Sequence, residues 1–173
     1  MRAADDVAHG RAASPPSKGP GRGRDLLRLI VAVSPLGMRV HGDEQRDWLV
    51  TGLEQAGDAA DDGLRAHAHH FVGTEALLRD DLSQGAAAYT AALRFAEAAG
   101  DAHVTAWSNV ALGWVAQMRG EPHRAVEYLE RGMVVSGDCS TTERASIYRN
   151  AALVFMDQGE LDRAWDLATE SLR

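Results

Sequence analysis

The stretch GEPHRAVEYL, Gly120–Leu129, returns 39 residues later as GELDRAWDLA, Gly159–Ala168. A chain that repeats itself at a fixed spacing of this size is built from stacked copies of one supersecondary unit, because a single copy cannot bury its own apolar face. Aligning the chain on itself extends the register to about 40 residues across most of its length. The turn within each unit falls at Val40, Asp80, Gly120 and Gly159. Seven residues before these stand Val33, Gly73, Gly113 and Ala152, and five after stand Gln45, Gly85, Ala125 and Ala164. Twelve after stand Gly52, Ala92, Gly132 and Ser171, followed by Leu53, Leu93, Met133 and Leu172. Small residues at fixed places mark where two helices approach closely, and the large apolar residue beside them fills the core. The first copy fits worst, since Val33 and Gln45 occupy sites that favour something smaller.

Each copy reads as two helices. Apolar residues recur at three- and four-residue spacings, with no sustained alternation of the strand type. Gly100 in AAGDAHV is placed to close one helix and Asp101 to cap the next. Gly137 is placed to end a helix, Ser140 and Glu143 form a candidate capping box, and Pro122 suits a first helical turn. The expected units are 25–57, 61–99, 101–136 and 140–173. Pro35 falls inside the first expected helix, which predicts a kink or two short pieces. Residues 1–24 are rich in Pro, Gly, Ser and Arg and are expected to form a disordered tail, with too little apolar surface to offset the entropy of ordering.

The stretch NVALGWVAQMRGEPHRAVEYLERGM resembles the tetratricopeptide repeat (TPR): Leu-Gly in the first helix, a glycine turn, then small residues in the second. Asn109 and Ala116 depart from the Trp and Tyr that family favours, and the period is near 40 rather than 34. The longer period, together with MRVHGDEQRDWLVTGLE and its Trp48-Leu49 pair, is similar to the repeat arrays of actinobacterial LuxR-type and AfsR-type transcriptional regulators. The resemblance covers about residues 26–173. It implies an all-α fold, a right-handed α-solenoid of about four helix-turn-helix units, acting as a protein- or peptide-interaction or sensor module. It also implies a part or truncated relative of such a regulator, or a stand-alone adaptor. The sequence contains neither a GxxxxGK[ST] phosphate loop nor a basic recognition helix.

Charge narrows the partners. The formal charge is −7, and residues 1–24 carry five basic and two acidic residues, leaving −10 on the rest. Direct nucleic-acid binding by so acidic a body is not expected. Leu26–Met38 is apolar but starts too far in, is interrupted by Arg28 and is too short to span a bilayer, so neither a leader nor a membrane role is expected. One cysteine, Cys139, excludes an internal disulfide, and no zinc spacing accompanies it. A cytoplasmic setting without cofactor or metal follows. Self-association through an open C-terminal repeat is a further expectation.

Candidate binding residues come from the repeat register. The first helix of each unit should line a concave groove, and the positions that face it are His67, His70, Thr74 and Leu77 in the second unit. Trp107, Trp114 and Gln117 follow in the third, and Ser146, Arg149, Leu153 and Met156 in the fourth. Trp and Arg there suit an interface that grips an extended peptide or a helix. The alternative for Trp107 and Trp114 is packing between units, and for the histidines a merely polar helix face. Gly73, Gly113, Gly120, Ala125, Gly132, Ala152, Gly159 and Ala164 are read as structural repeat positions. Trp48, Tyr128 and Trp165 are expected in the core. No GxSxG, HExxH or Ser/His/Asp set occurs, so an enzyme is not expected. A receptor that closes on a small molecule or peptide is the alternative to a scaffold.

Overall fold

A computed structural model describes residues 20–37 and 42–172. It places α1 Pro20–Gly37, α2 Gly42–Ala56, α3 Asp62–Leu78, α4 Leu82–Ala99, α5 Ala102–Met118, α6 Pro122–Val135, α7 Thr141–Asp157 and α8 Leu161–Glu170. Single 3-10 turns, Gly57–Ala59 and Ser136–Asp138, follow α2 and α6. No strand occurs among the described residues. The chain is an all-α solenoid of helix pairs. The expected turn at Val40 and most of the expected tail lie outside the described residues. Pro20–Arg24, assigned to that tail from composition, instead forms the first turn of α1.

The turns follow the register. Asp80, Gly120 and Gly159 all take left-handed backbone, at φ 60°, 72° and 78°. In each, the next residue donates back across the helix end: Asp81 N–H to the Ala76 carbonyl at 3.0 Å, Glu121 to Ala116 at 2.9 Å and Glu160 to Phe155 at 2.9 Å. This is the glycine-type helix stop, which ties down carbonyls that would otherwise lack donors. Asp80 adopts it without glycine's freedom, which aspartate tolerates better than most residues. Gly100 closes α4 in the same way at φ 68°. The carboxylates of Asp61, Asp81 and Asp101 accept from the third backbone N–H of α3, α4 and α5, and Ser140 with Glu143 forms a capping box on α7. Gly137 does not end a helix by this route. The chain passes through the 3-10 turn there, and the Ser136 hydroxyl donates to the Met133 carbonyl at 2.6 Å.

The small residues sit where helices touch. A Cβ on Gly73 would stand 2.8 Å from the Tyr89 ring, and one on Gly113 2.9 Å from Leu129. One on Gly132 would meet the Ala106 carbonyl oxygen at 3.1 Å. Ala125, Ala152 and Ala164 are buried. The first unit departs from the register by one residue. Val33 is 43% exposed, while Ser34 beside it is buried and its carbonyl accepts from Gln45 Nε2 at 2.9 Å. A polar bond thus replaces the small-on-small contact. α1 continues through Pro35 to Gly37 as one helix rather than two short pieces, although Pro35 has no N–H to give the Val31 carbonyl.

Apolar side chains form a seam of linked clusters rather than one centre. Leu27, Leu49 and Leu64 fill the junction of α1, α2 and α3; Ala66, Ala96 and Val104 that of α3, α4 and α5; Leu129, Ile147 and Phe155 the last two units. Three expected core residues lie outside it, since Trp48, Trp165 and Leu172 are exposed. Tyr128 is half-buried and packs as expected.

Successive odd-numbered helices touch, α1 with α3, α3 with α5 and α5 with α7, whereas α2, α4, α6 and α8 make no close backbone contact with one another. The stack therefore curves, with odd helices along the inner edge and even helices splayed along the outer.

Candidate functional site

Three inner helices enclose an open cleft of about 370 Å³. His67, His70 and Phe71 come from α3, His103, Val104 and Trp107 from α5, and Thr142, Glu143 and Ser146 from α7. The spacings of three and four residues put each set on one helix face. Between helices the relation is the repeat period: His67, Trp107 and Ser146 stand in one row, and His103 and Glu143 in the next.

Histidine–carboxylate contacts link the three helices. His67 Nε2 lies 3.2 Å from the Asp101 carboxylate and His103 Nδ1 2.7 Å from that of Glu143. The rings of His67 and His103 stack with centroids 6.2 Å apart. Both carboxylates also cap the helix that follows, so each pair ties one unit's side chain to the next unit's helix start. The Ser140 hydroxyl and backbone N–H, with His103, hold the Glu143 carboxyl below the usual carboxylate range, so it is charged at neutral pH.

His70 is different. Its Nδ1 stands 3.2 Å from Ser108 Oγ and its ring tilts against Tyr89. Burial, then the nearby His103 and His67, lower its pKa to about 4. At neutral pH it offers the cleft a neutral ring. His69 points elsewhere, stacked on Phe95, and is lowered by burial and by Arg94 and Arg65. Burial raises the Tyr89 hydroxyl to about 12.

Of the eleven groove residues expected from the register, His67, His70, Trp107 and Ser146 line the cleft. Thr74 is committed internally, donating to the His70 carbonyl at 3.0 Å and accepting from the Tyr89 hydroxyl at 3.2 Å. Trp114 packs against the core of the last two units. Gln117 accepts from Gln158 Nε2 at 2.8 Å, a tie between α5 and the end of α7. Arg149 and Met156 are exposed on α7 and outside the cleft. The position of Arg149 corresponds to Val110, which packs on Gly132 in the third unit. In the fourth, α8 stops at Glu170, short of the equivalent Ser171. Phe71, His103, Val104, Thr142 and Glu143 were missed. The available signal was the spacing of 40 between His103 and Glu143, which makes them neighbours on adjacent units.

No set of three metal-ligating side chains converges among the described residues, and no helix among them is long and apolar enough to cross a membrane. Burial, then Glu143, Asp138 and Asp101, push the Cys139 thiol up, away from a reactive thiolate.

Neither any protein-family profile nor any curated protein matches the sequence. Solved structures do match. Two crystal structures of MamA, a TPR-containing protein, superpose with TM-scores of 0.59 and 0.58 at 16% identity. They cover 84% of this chain and 76% and 71% of theirs. What is shared is the TPR-like helical repeat fold.

Proposed function

We propose that this protein is an interaction module that holds an extended segment of a partner protein in the cleft across α3, α5 and α7. The observation that carries the reading is the cleft's composition. Phe71, Val104 and Trp107 supply apolar contact, and His67, His103, Thr142 and Ser146 supply polar groups, all from three successive helices held in register. A groove several units long with few fixed polar hooks suits a peptide better than it suits chemistry on a small substrate. The TPR-like fold of the neighbours supports a protein partner in general terms.

Selection from a random peptide library against the full chain tests this. Thr142→Arg places a long side chain in the cleft from an exposed position and is expected to weaken selected peptides at least tenfold with helicity unchanged. Trp107→Ala should weaken them similarly, while Trp114→Ala should chiefly lower the melting temperature. Selected peptides that bind all three variants like the parent chain would overturn the assignment of the groove.

We further propose, on the 40-residue period and the Met38–Glu54 stretch, that the array serves a transcriptional regulator. An in-frame ATPase or DNA-binding segment beside the coding sequence would support this, and unrelated flanking genes would count against it.

A further inference from the structure

The outer edge carries a second site. Two of its three junctions between even-numbered helices are bridged by an arginine. Arg46 Nε of α2 donates to Gln84 Oε1 of α4 at 3.1 Å, and Arg163 of α8 donates to Glu130 of α6 at 2.6 Å. The middle junction, α4 to α6, has no hydrogen bond or ion pair across it among the described residues. A cleft of about 430 Å³ opens there, floored by α5.

Its walls have the acceptors that an arginine would use. Glu97 of α4 and Glu127 of α6 are exposed, line the cleft and make no ion pair or hydrogen bond through their side chains among the described residues. Arg131, the one cation in the wall, is turned onto the Tyr128 ring. Leu93 and Val134 provide apolar surface beside the carboxylates, with Val134 80% exposed. Asn109 forms part of the floor at 3% exposure. Its Nδ2 donates to the Thr105 carbonyl, and its Oδ1 is left without a partner. A buried acceptor without a donor is costly, and a donor that reached the floor of the cleft would relieve that cost.

We propose that this outer cleft docks a cationic, amphipathic segment of a partner protein. A Lys or Arg of that segment lies between Glu97 and Glu127, whose carboxylates have no cation across this junction. Its aliphatic stem rests on Leu93 and Val134, and its N–H groups point to the floor where Asn109 Oδ1 waits. The net charge of −10 outside residues 1–24 favours the approach of such a segment.

The test uses the full chain and an acetylated, amidated ten-residue peptide of alternating Arg and Leu, with a Glu/Leu peptide as control. Binding is followed by fluorescence anisotropy. The double variant Glu97→Gln/Glu127→Gln is expected to raise Kd for the Arg/Leu peptide at least tenfold. Asp162→Asn/Asp166→Asn on α8 removes the same charge elsewhere and should change Kd less than twofold. Trp107→Ala should leave it unchanged, which separates this site from the inner groove. Equal weakening by both charge pairs would show unspecific attraction and overturn the proposal. So would failure of the parent chain to bind the peptide, or equal binding of the Glu/Leu control.

Discussion

At the scale of single residues the repeat is a matter of side-chain volume. Gly73 faces Tyr89 and Gly113 faces Leu129, and in the fourth unit the corresponding positions are Ala152 and Ala168. A Cβ is present there where the opposing residue is small. Gly113→Ala should therefore destabilise by about 1–3 kcal/mol through overpacking against Leu129, despite alanine's better helix propensity. Gly85→Ala should do the opposite. Its Cβ would meet nothing closer than 3.6 Å, and Ala125 and Ala164 already occupy the equivalent places. A gain of about 0.5–1 kcal/mol is expected, visible as a rise of a few degrees in Tm. These glycines were legible from spacing alone, but which of them could accept a methyl group was not. That depends on the residue one helix away.

His70 gives a second prediction at this scale. Its folded pKa, about 4, lies below the ordinary 6.5. Above pH 6.5 the ring is neutral in folded and unfolded chains, and its full contribution is present. As pH falls from 6.5 towards 4 the unfolded chain binds a proton that the folded chain refuses, so stability is lost. Urea unfolding at pH 7.5 and 5 should show the parent chain losing on the order of 1–2 kcal/mol more than His70→Gln. Equal losses would assign the acid sensitivity to other groups.

At the scale of elements the helix ends were the most readable part. Asp101, Ser140 with Glu143, Gly100 and Gly120 sit where their chemistry placed them, because caps act within one turn and need no tertiary information. The start of α1 was misread, since Pro20–Arg24 has a linker's composition yet belongs to a helix whose Gly23 lies against the backbone of Gln55 and Ala56. Trp48 and Trp165 were misread too. Their places on the second helices of their units put them inside, whereas only the packing of neighbouring units decides which face is covered. Elements differ accordingly in how firmly they are held. α5 buries ten of its residues, from Val104 to Ala116, and α8 only Ala164. Hydrogen exchange should protect α5 amides close to the level set by global unfolding, with α8 exchanging many times faster. Matching protection in the two helices would mean that the array unfolds as a single cooperative block.

At the scale of the molecule the period carried most of the fold and part of the site. The row His67, Trp107, Ser146 follows from adding one period, as does the pair His103 and Glu143. The loss of Thr74, Trp114 and Gln117 to internal contacts does not follow, because it depends on Tyr89, the last core cluster and Gln158. The outer cleft was invisible for the same reason: Glu97, Asn109 and Glu127 belong to three helices and share no place in the register. The two edges of the stack are also fastened differently. Along the inner edge, helices touch and are linked by short histidine–carboxylate contacts; along the outer edge, long arginine side chains reach across gaps or nothing does. Any change of curvature in such a stack would pivot on its concave side. Opening or closing the superhelix changes the outer perimeter and leaves the inner arc length nearly constant. A ribbon held in the groove would keep its residue-by-residue alignment while the scaffold flexes around it.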